Sequence, residues 1–536
     1  MPRRASGRFI TLLSALCLGS ISLAACSSDD VTANASYEDP AYVLSSEVAT
    51  VNAGSVLGAS TNAELVSGRV YPGVYVPGPS GQLIPNTDLI TAQALPGTHK
   101  QVIYTISKDA VLDDGTPLTC ADYLLSWTAG VMDNQFDSKM PIAQQVQELE
   151  CKPNDQKFTV VFKEDQGAQW RALFGPGEVL PSAPIRRRLG LSEEEFVSQL
   201  HSQDPSLVAP IAEAWNTAFD FAEFQPDMHL SYGPYKVEGV GDKGQVTLSR
   251  NENYYGDMAS IPRIALWPAS TDVRHLNDSG KIYVADIKAA DYSWVDRNDP
   301  KNPYSIAEQS GILVDSLILG TGGPFATAEG RRAFNACVDQ KAVAAASSEV
   351  SGQDVAPQGL RSVAPNDPVR NSLVDISDRV MAVDPISAEQ LRGSTIRIGY
   401  LGEDQRKSEM ITAIKQSCAP FGIEVVDVHD TAGGHLGDLA ATEFDIYGNA
   451  VDKPGEMDAV LKAVDPVTEY GNVGIANTKS GDYRWAEDTI DAVTPSIPLS
   501  TQPRTFIIHR DMGNVVPYTG LTGIGWNIDR WKIQEG

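Results

Sequence analysis

The apolar positions of this chain change period repeatedly, and each change predicts an element. From Val102 to Ser107 they alternate as in a half-buried strand, and the turn-forming run Asp113 to Pro117 follows. Thr119 then stands where a helix N-cap belongs, with Asp122 three residues on to complete a capping box. Behind it Leu124, Trp127 and Val131 fall on one helical face. Before this region, residues 41–58 read as extended, with a short helical segment through Leu65, and 71–85 as glycine- and proline-rich loops and short strands. After it, Lys157 to Lys163 predicts a strand and Ser192 to Asp220 a helix with its acidic residues at the start. Tyr235 to Val240 and Gln245 to Arg250 predict two strands around a turn, and Ala328 to Ser348 a helix through Phe334, Cys337 and Val338. Thr395 to Leu401, Lys407 to Ala419 and Ile423 to Val428 then predict strand, helix, strand, a right-handed crossover within an α/β domain. Phe506 to His509 predicts a late strand, so the end of the chain should return to an earlier sheet.

The first residues carry another pattern. Arg3, Arg4 and Arg8 precede a mostly apolar run from Phe9 to Leu23, and Ala24 and Ala25 lead directly into Cys26. A charged start, a short apolar core and a small-residue cleavage site make a secretory signal, too short for a spanning helix. Leu23 to Cys26 resembles the bacterial lipobox, which implies lipid on the Cys26 sulfur and cleavage before it. Residues 1–25 are then a signal peptide, and 26–36 a polar, lipid-anchored tether. An ordinary signal peptide with a chance cysteine is the plainer alternative. No later segment approaches 18 consecutive apolar residues, so the anchor is the one membrane contact expected, on the extracytoplasmic face of the cell membrane.

Composition narrows the function classes. With 536 residues, 42% of them hydrophobic, the chain can build several packed domains. A net charge of −27 repels nucleic acid, and the longest basic run, Arg186 to Arg188, reads as a solvated helix start. Apart from Cys17 in the signal and Cys26, four cysteines remain: Cys120, Cys151, Cys337 and Cys418. They allow three pairings in an oxidising compartment. Cys120–Cys151 and Cys337–Cys418 are favoured because each pair lies within one expected subdomain; four buried thiols are the alternative. No two of them have C-x₂₋₄-C spacing, none of the seven histidines sits in H-E-x-x-H, and no G-x-S-x-G elbow occurs. Neither catalysis nor a metal or other cofactor is expected. Gly239-x-Gly241-x-x-Gly244 matches a dinucleotide fingerprint only formally: it lies between two strands, where a hairpin turn is the better reading.

Several segments, in order, resemble the extracytoplasmic solute-binding proteins, family 5, of ABC importers, which include oligopeptide-, dipeptide- and nickel-binding lipoproteins. YTISKDAVLDDGTPLTCADY (104–123) resembles that family's strand, DGxPxTAxD turn and helix. SYGPYKV (231–237) with LSRNENYYG (248–256) resembles its GPY…LxRNxxY(W/Y)G signature, and RRAFNACVDQKAV (331–343) its VRxAxxxAIDRxxI helix. PSIPL (495–499), with Trp526, Asn527 and Ile528, is similar to the usual ending.

The resemblance implies an α/β, two-lobed periplasmic-binding-protein type II fold with an additional subdomain on the first lobe. The first lobe would take 37–68, 222–315 and 495–536, the inserted subdomain 69–221, and the second lobe 316–494. It also implies a monomeric receptor that captures an oligopeptide or other small solute between closing lobes and delivers it to ABC permease and ATPase subunits. Asp452 falls on the position that anchors a peptide's ammonium, while Asn449 replaces a tryptophan that helps shape the site, and Lys453 stands beside the aspartate. The strand before the 331–343 helix is also altered, from Leu319 to Phe325. These departures lie in the half that selects ligand. They leave room for a second reading: the same fold without a transporter, as in actinobacterial lipoproteins linked to cell-wall glycolipid (mannolipid) assembly.

Overall fold

The computed structural model describes residues 39–97, 99–287, 294–444, 449–473 and 480–534. Its frame is a mixed ten-stranded sheet. From one edge the order is Glu424–Asp427, Thr395–Gly399, Ala459–Val464, Tyr304–Leu319, Ser496–His509, Ile282–Ile287, Ala41–Val43, Arg263–Trp267, Val246–Arg250 and Tyr235–Val240. The two central strands are much the longest, at 16 and 14 residues, because each serves both lobes. Residues 304–310 pair with 503–509 on the first-lobe side. Residues 314–319 pair with 496–501 and 459–464 on the second-lobe side.

Between those halves the ladder gives way. Its register shifts between Ser310 and Val314 and again between Asp315 and Ser316. The partners flanking the shifts include Pro503, opposite Ser310, and Pro498, opposite Ser316. Proline has no N–H to donate, so it is tolerated in a strand only where the ladder is already interrupted. Gly311 lies in the gap, and a Cβ built there would stand 2.3 Å from the Gln502 carbonyl oxygen. These features locate a hinge, two strands wide. Gly311→Val must push the strands apart, and as an overpacking change should cost about 1–3 kcal/mol. The expected result is a lower thermal midpoint together with a larger radius of gyration in solution scattering. An unchanged radius would show that the close approach does not set the lobe angle.

The first lobe is built on Ala41–Val43, which runs parallel to both its neighbours. Its inserted part carries a four-stranded antiparallel sheet, Ile90–Leu95, Gln101–Ile106, Lys157–Phe162 and Val146–Glu150 in that order. Tyr104, Tyr123, Phe158 and Phe174 pack between this sheet and helix Cys120–Val131 with ring centroids 4.9–6.2 Å apart. That helix starts as the sequence predicts: the Thr119 side chain and Asp122 form a capping box, and the Asp122 carboxylate accepts from the Thr119 N–H at 2.8 Å. Cys120 and Cys151 are paired, tying the helix start to the end of a neighbouring strand (Cα–Cα 5.6 Å). In the second lobe Thr395–Gly399 and Glu424–Asp427 are parallel and joined through helix Gln405–Cys418, the expected crossover. Cys418, at the end of that helix, is paired with Cys337 (Cα–Cα 4.8 Å).

Three expectations change in extent. The helix expected over 192–220 divides into Glu193–Ser202 and Pro205–Thr217, because Gln203 turns left-handed and Asp204 caps a new start with Pro205 behind it. The helix expected over 328–348 divides into Ala328–Asn335 and Gln340–Ser351, the second capped by Asp339. The late strand begins ten residues earlier than expected, at Ser496, since it crosses the hinge. Gly239 lies near the end of the first strand and Gly241 to Gly244 form a hairpin turn between antiparallel strands, with Gly244 at φ +75, as expected. Among the described residues no helix is long and apolar enough to cross a membrane.

Candidate ligand-binding site

Where the lobes meet, the described residues enclose cavities of about 70 Å³, two of which are lined from both lobes. Contacts across it are polar. Lys462 Nζ, on the second lobe, donates to the Ala59 carbonyl at 2.7 Å, and the Leu436 N–H donates to Ser60 Oγ at 3.0 Å. Lys139, in the inserted part, pairs with Glu469 at 2.6 Å, and Gln145 donates to the Gly471 carbonyl.

The first cavity is walled by five separate stretches of chain, and its carboxyls come from three of them. Ser55 caps helix Val56–Thr61, and Asn62, left-handed at φ 56, ends it while its side chain donates to the Leu521 carbonyl at 2.9 Å. The chain then starts a second short helix at Glu64, bringing its carboxylate to the cavity wall. Glu178 comes from the inserted part, and its Oε2 accepts from the Gly175 N–H at 2.7 Å. From the second lobe, strand Ala459–Val464 supplies Lys462. Asp465 and Glu469 follow it at the two ends of the helix Pro466–Glu469, which Asp465 caps.

Four carboxyls thus meet two ammonium groups. Glu469 is answered by its cation: although burial opposes it, Lys139 and Lys462 hold its carboxyl below the usual range. Burial pulls Lys462 down to about 8 against the attraction of Glu469. The other acids go the opposite way. Burial pushes Glu178 up to about 7 against the Gly175 hydrogen bond. Glu64 is raised well above its ordinary value by burial and then by Glu178 and Asp465, with Lys462 opposing. Asp465 is raised by burial despite two backbone N–H donors. The Glu64 carboxylate receives no hydrogen bond among the described residues, although its backbone carbonyl accepts from the Gly68 N–H. A carboxylate crowded by two others in a partly dry cavity gains a proton or a cation. The volume suits a cationic head group, whereas an extended peptide requires the lobes to part.

The second cavity lies against the hinge, between Ser45 and Ser46 on one side and Leu401, Lys407 and Gly434 on the other. Arg504 reaches it, but its guanidinium is committed to the buried Asp286 carboxylate and to the Thr519 carbonyl.

Asp452 and Asn449 fall elsewhere. Asp452 lies in strand Ala450–Lys453, opposite Thr442 in a two-stranded hairpin, and is exposed. Asn449, just before it, is also exposed, and neither residue lines either cavity. Lys453 pairs with Glu443 at 3.3 Å rather than with Asp452. Cys26 lies outside the described residues. Glu64, Glu178, Lys462 and Asp465 have no sequence spacing that groups them; the Asp465-Pro466 helix start is the one local signal among them.

Residues 88–453 match the family model of the bacterial extracellular solute-binding proteins, family 5. An uncharacterized lipoprotein of Mycobacterium tuberculosis is 27% identical over 534 residues, 92% of each chain. The oligopeptide-binding protein OppA of the same organism is 32% identical over 128 residues, 23% of this chain and 22% of that one. Among solved structures, the oligopeptide-binding protein AppA from Bacillus subtilis, in complex with a nonapeptide, superposes with a TM-score of 0.66 at 14% identity, covering 93% of this chain and 99% of that one. Such similarity carries the two-lobed type II periplasmic-binding fold, and the match to the family model spans most of the chain. This protein belongs to the bacterial extracellular solute-binding proteins, family 5.

Proposed function

We propose that the chain is the lipid-anchored receptor of an ABC importer and captures oligopeptides between its lobes, with the ligand's cationic end seated against Glu64 and Glu178. The observation that carries this reading is the cavity walled by both lobes and lined by raised, crowded carboxyls, one of them without a donor. The rest of a peptide would lie along the opened cleft, its main chain held by strand-like hydrogen bonds. Capture then works by differential contact: a ligand touching both lobes stabilises the closed form over the open one. No catalytic step is part of this reading. Titration with a pool of short peptides and with the same pool N-acetylated tests it. Binding of the first and loss of the second is expected. Equal binding of both would remove the ammonium seat, and binding of neither would favour the transporter-independent role in glycolipid assembly.

The seat predicts a pH dependence. In the closed, empty form Glu178 has its carboxyl raised to about 7, and Glu64 and Asp465 are raised with it. The empty closed form therefore binds more protons than an open one whose carboxyls titrate ordinarily. Its advantage is full below the ordinary carboxylate range and is lost as pH rises through about 7. A ligand ammonium replaces those protons, so its affinity should rise between about pH 5 and about pH 7, and Glu178→Gln should flatten that slope. Dissociation constants at the two pH values, for the native chain and the variant, check this.

Anchoring has its own test. Cys26→Ala should move the protein from the membrane fraction into the soluble one, since a chain that loses its lipid loses the apolar attachment that membrane residence needs. Retention in the membrane fraction would contradict the anchor.

A further inference from the structure

The parallel strands Thr395–Gly399 and Glu424–Asp427 end side by side in the second lobe, with Ile398 opposite Asp427. The ends of these strands and the loops leaving them bring together five side chains from two short stretches, Tyr400 and Glu403 from one and Asp427, His429 and Asp430 from the other. The His429 ring lies flat against the Tyr400 ring, with centroids 4.3 Å apart and planes 12° apart. Its Nδ1 is 2.8 Å from Asp427 Oδ1, and its Nε2 is 3.0 Å from Asp430 Oδ1 and 3.8 Å from Glu403 Oε2. The imidazole is mostly buried, at 15% exposure, while the Glu403 and Asp430 carboxylates are 92% and 75% exposed.

We propose that Nε2 of His429 with the carboxylates of Asp430 and Glu403 binds one divalent transition-metal ion, and that Asp427 orients the imidazole for it. A carboxylate on Nδ1 fixes the tautomer that leaves the Nε2 lone pair outward, the arrangement in which histidine ligates metals. The Tyr400 stack holds the ring plane. Ligand atoms about 2.0–2.2 Å from a tetrahedral ion stand roughly 3.4 Å from one another. The separations of 3.0 and 3.8 Å bracket that spacing, and the three donor atoms lie within 4.8 Å of one another. One nitrogen and two carboxylate oxygens suit Zn²⁺ or its first-row neighbours, with at least one position left open.

The place matters as well. Leu401 and Gly434, from the same two loops, line the cavity against the hinge. A Cβ on Gly402 would lie 3.5 Å from Glu47 Oε1 of the first lobe, so the ligand-bearing loop closely approaches the opposite lobe. An ion here would stiffen the segment that meets the first lobe on closure. The site is separate from the Glu64–Glu178 cavity and does not depend on the ligand proposed for it.

Zn²⁺ titration of the chelator-stripped, full mature chain against a chromophoric competitor tests the proposal. One saturable ion per chain is expected, abolished by His429→Ala and by the Glu403→Gln/Asp430→Asn double variant. Asp427→Asn should weaken it about ten- to a hundredfold, as for loss of a partner that orients a ligating histidine. The double variant changes only exposed side chains and should keep the native melting temperature, so its result stands even if His429→Ala disturbs the loop. Absence of saturable binding, or binding undiminished in the double variant, would overturn the proposal.

Discussion

Glu64→Gln combined with Glu178→Gln should weaken binding of an ammonium-bearing ligand by about 2–5 kcal/mol, from roughly thirtyfold to several thousandfold, as when one side of a buried charge pair is removed. Both groups face one small cavity, and both are raised by burial. In the empty protein they are crowded and cannot both ionise freely. Replacing them with neutral amides of the same shape removes repulsion, and the empty chain should melt no lower than the native one. A ligand cation reverses the account, because the crowded carboxylates that destabilise the empty cavity are what it binds. Asp452→Ala provides the contrast. Its carboxylate is exposed on a hairpin outside the cavity, where a charge interaction is worth about 0–1 kcal/mol. The expected pattern in calorimetric titration is therefore a large loss for the double variant and less than about fivefold for Asp452→Ala. The reverse order would return the anchor to the position that the family motif indicates.

Cys337→Ser with Cys418→Ser should cost the second lobe about 4.5 kcal/mol by the chain-entropy estimate for its 81-residue separation. Cys120→Ser with Cys151→Ser should cost the inserted part about 3.7 kcal/mol for a separation of 31. The two bonds do different structural work. Cys337 lies in the break between helices Ala328–Asn335 and Gln340–Ser351, and it ties that break to the end of the crossover helix Gln405–Cys418. Without the bond, the region between the first two helices is held by packing of buried side chains such as Phe334 and Val338. Denaturant titrations of the two variants should show separate transitions, each moved for the lobe that lost its bond, with the second lobe moved further. Equal midpoints in native and variant chains would mean that the bonds do not limit the unfolded ensemble.

Local elements were legible where one period ran uninterrupted and the caps were plain. The helix at Cys120, with Thr119 and Asp122 before it, is the clearest case, and the Thr395–Gly399 crossover is another. The hinge strands were not legible as wholes. Pro498, Pro503 and Gly311 mark where the ladder breaks, and the strand continues on the far side because a second lobe is there to pair with it. The divided helix over 192–220 carried its signal at Asp204 and Pro205, a cap and a helix start inside a stretch whose periodicity alone suggested continuity. The candidate site was the least legible part. Glu64, Glu178 and Asp465 are ordinary surface residue types in sequence, and they become a site only when three stretches of chain close on one another. Motif matching points to Asp452 because it uses local context, and local context has no means of grouping residues that meet only across the lobes.

Central to this account is capture of a peptide between the lobes, and native mass spectrometry of residues 27–536, purified without its anchor, tests that most directly. Denaturing extraction then identifies whatever co-purifies. A heterogeneous set of short peptides is expected, lost from the Glu64→Gln/Glu178→Gln chain. A bound lipid or glycolipid, or an empty cleft that ignores added peptides, would contradict it and transfer the assignment to envelope assembly.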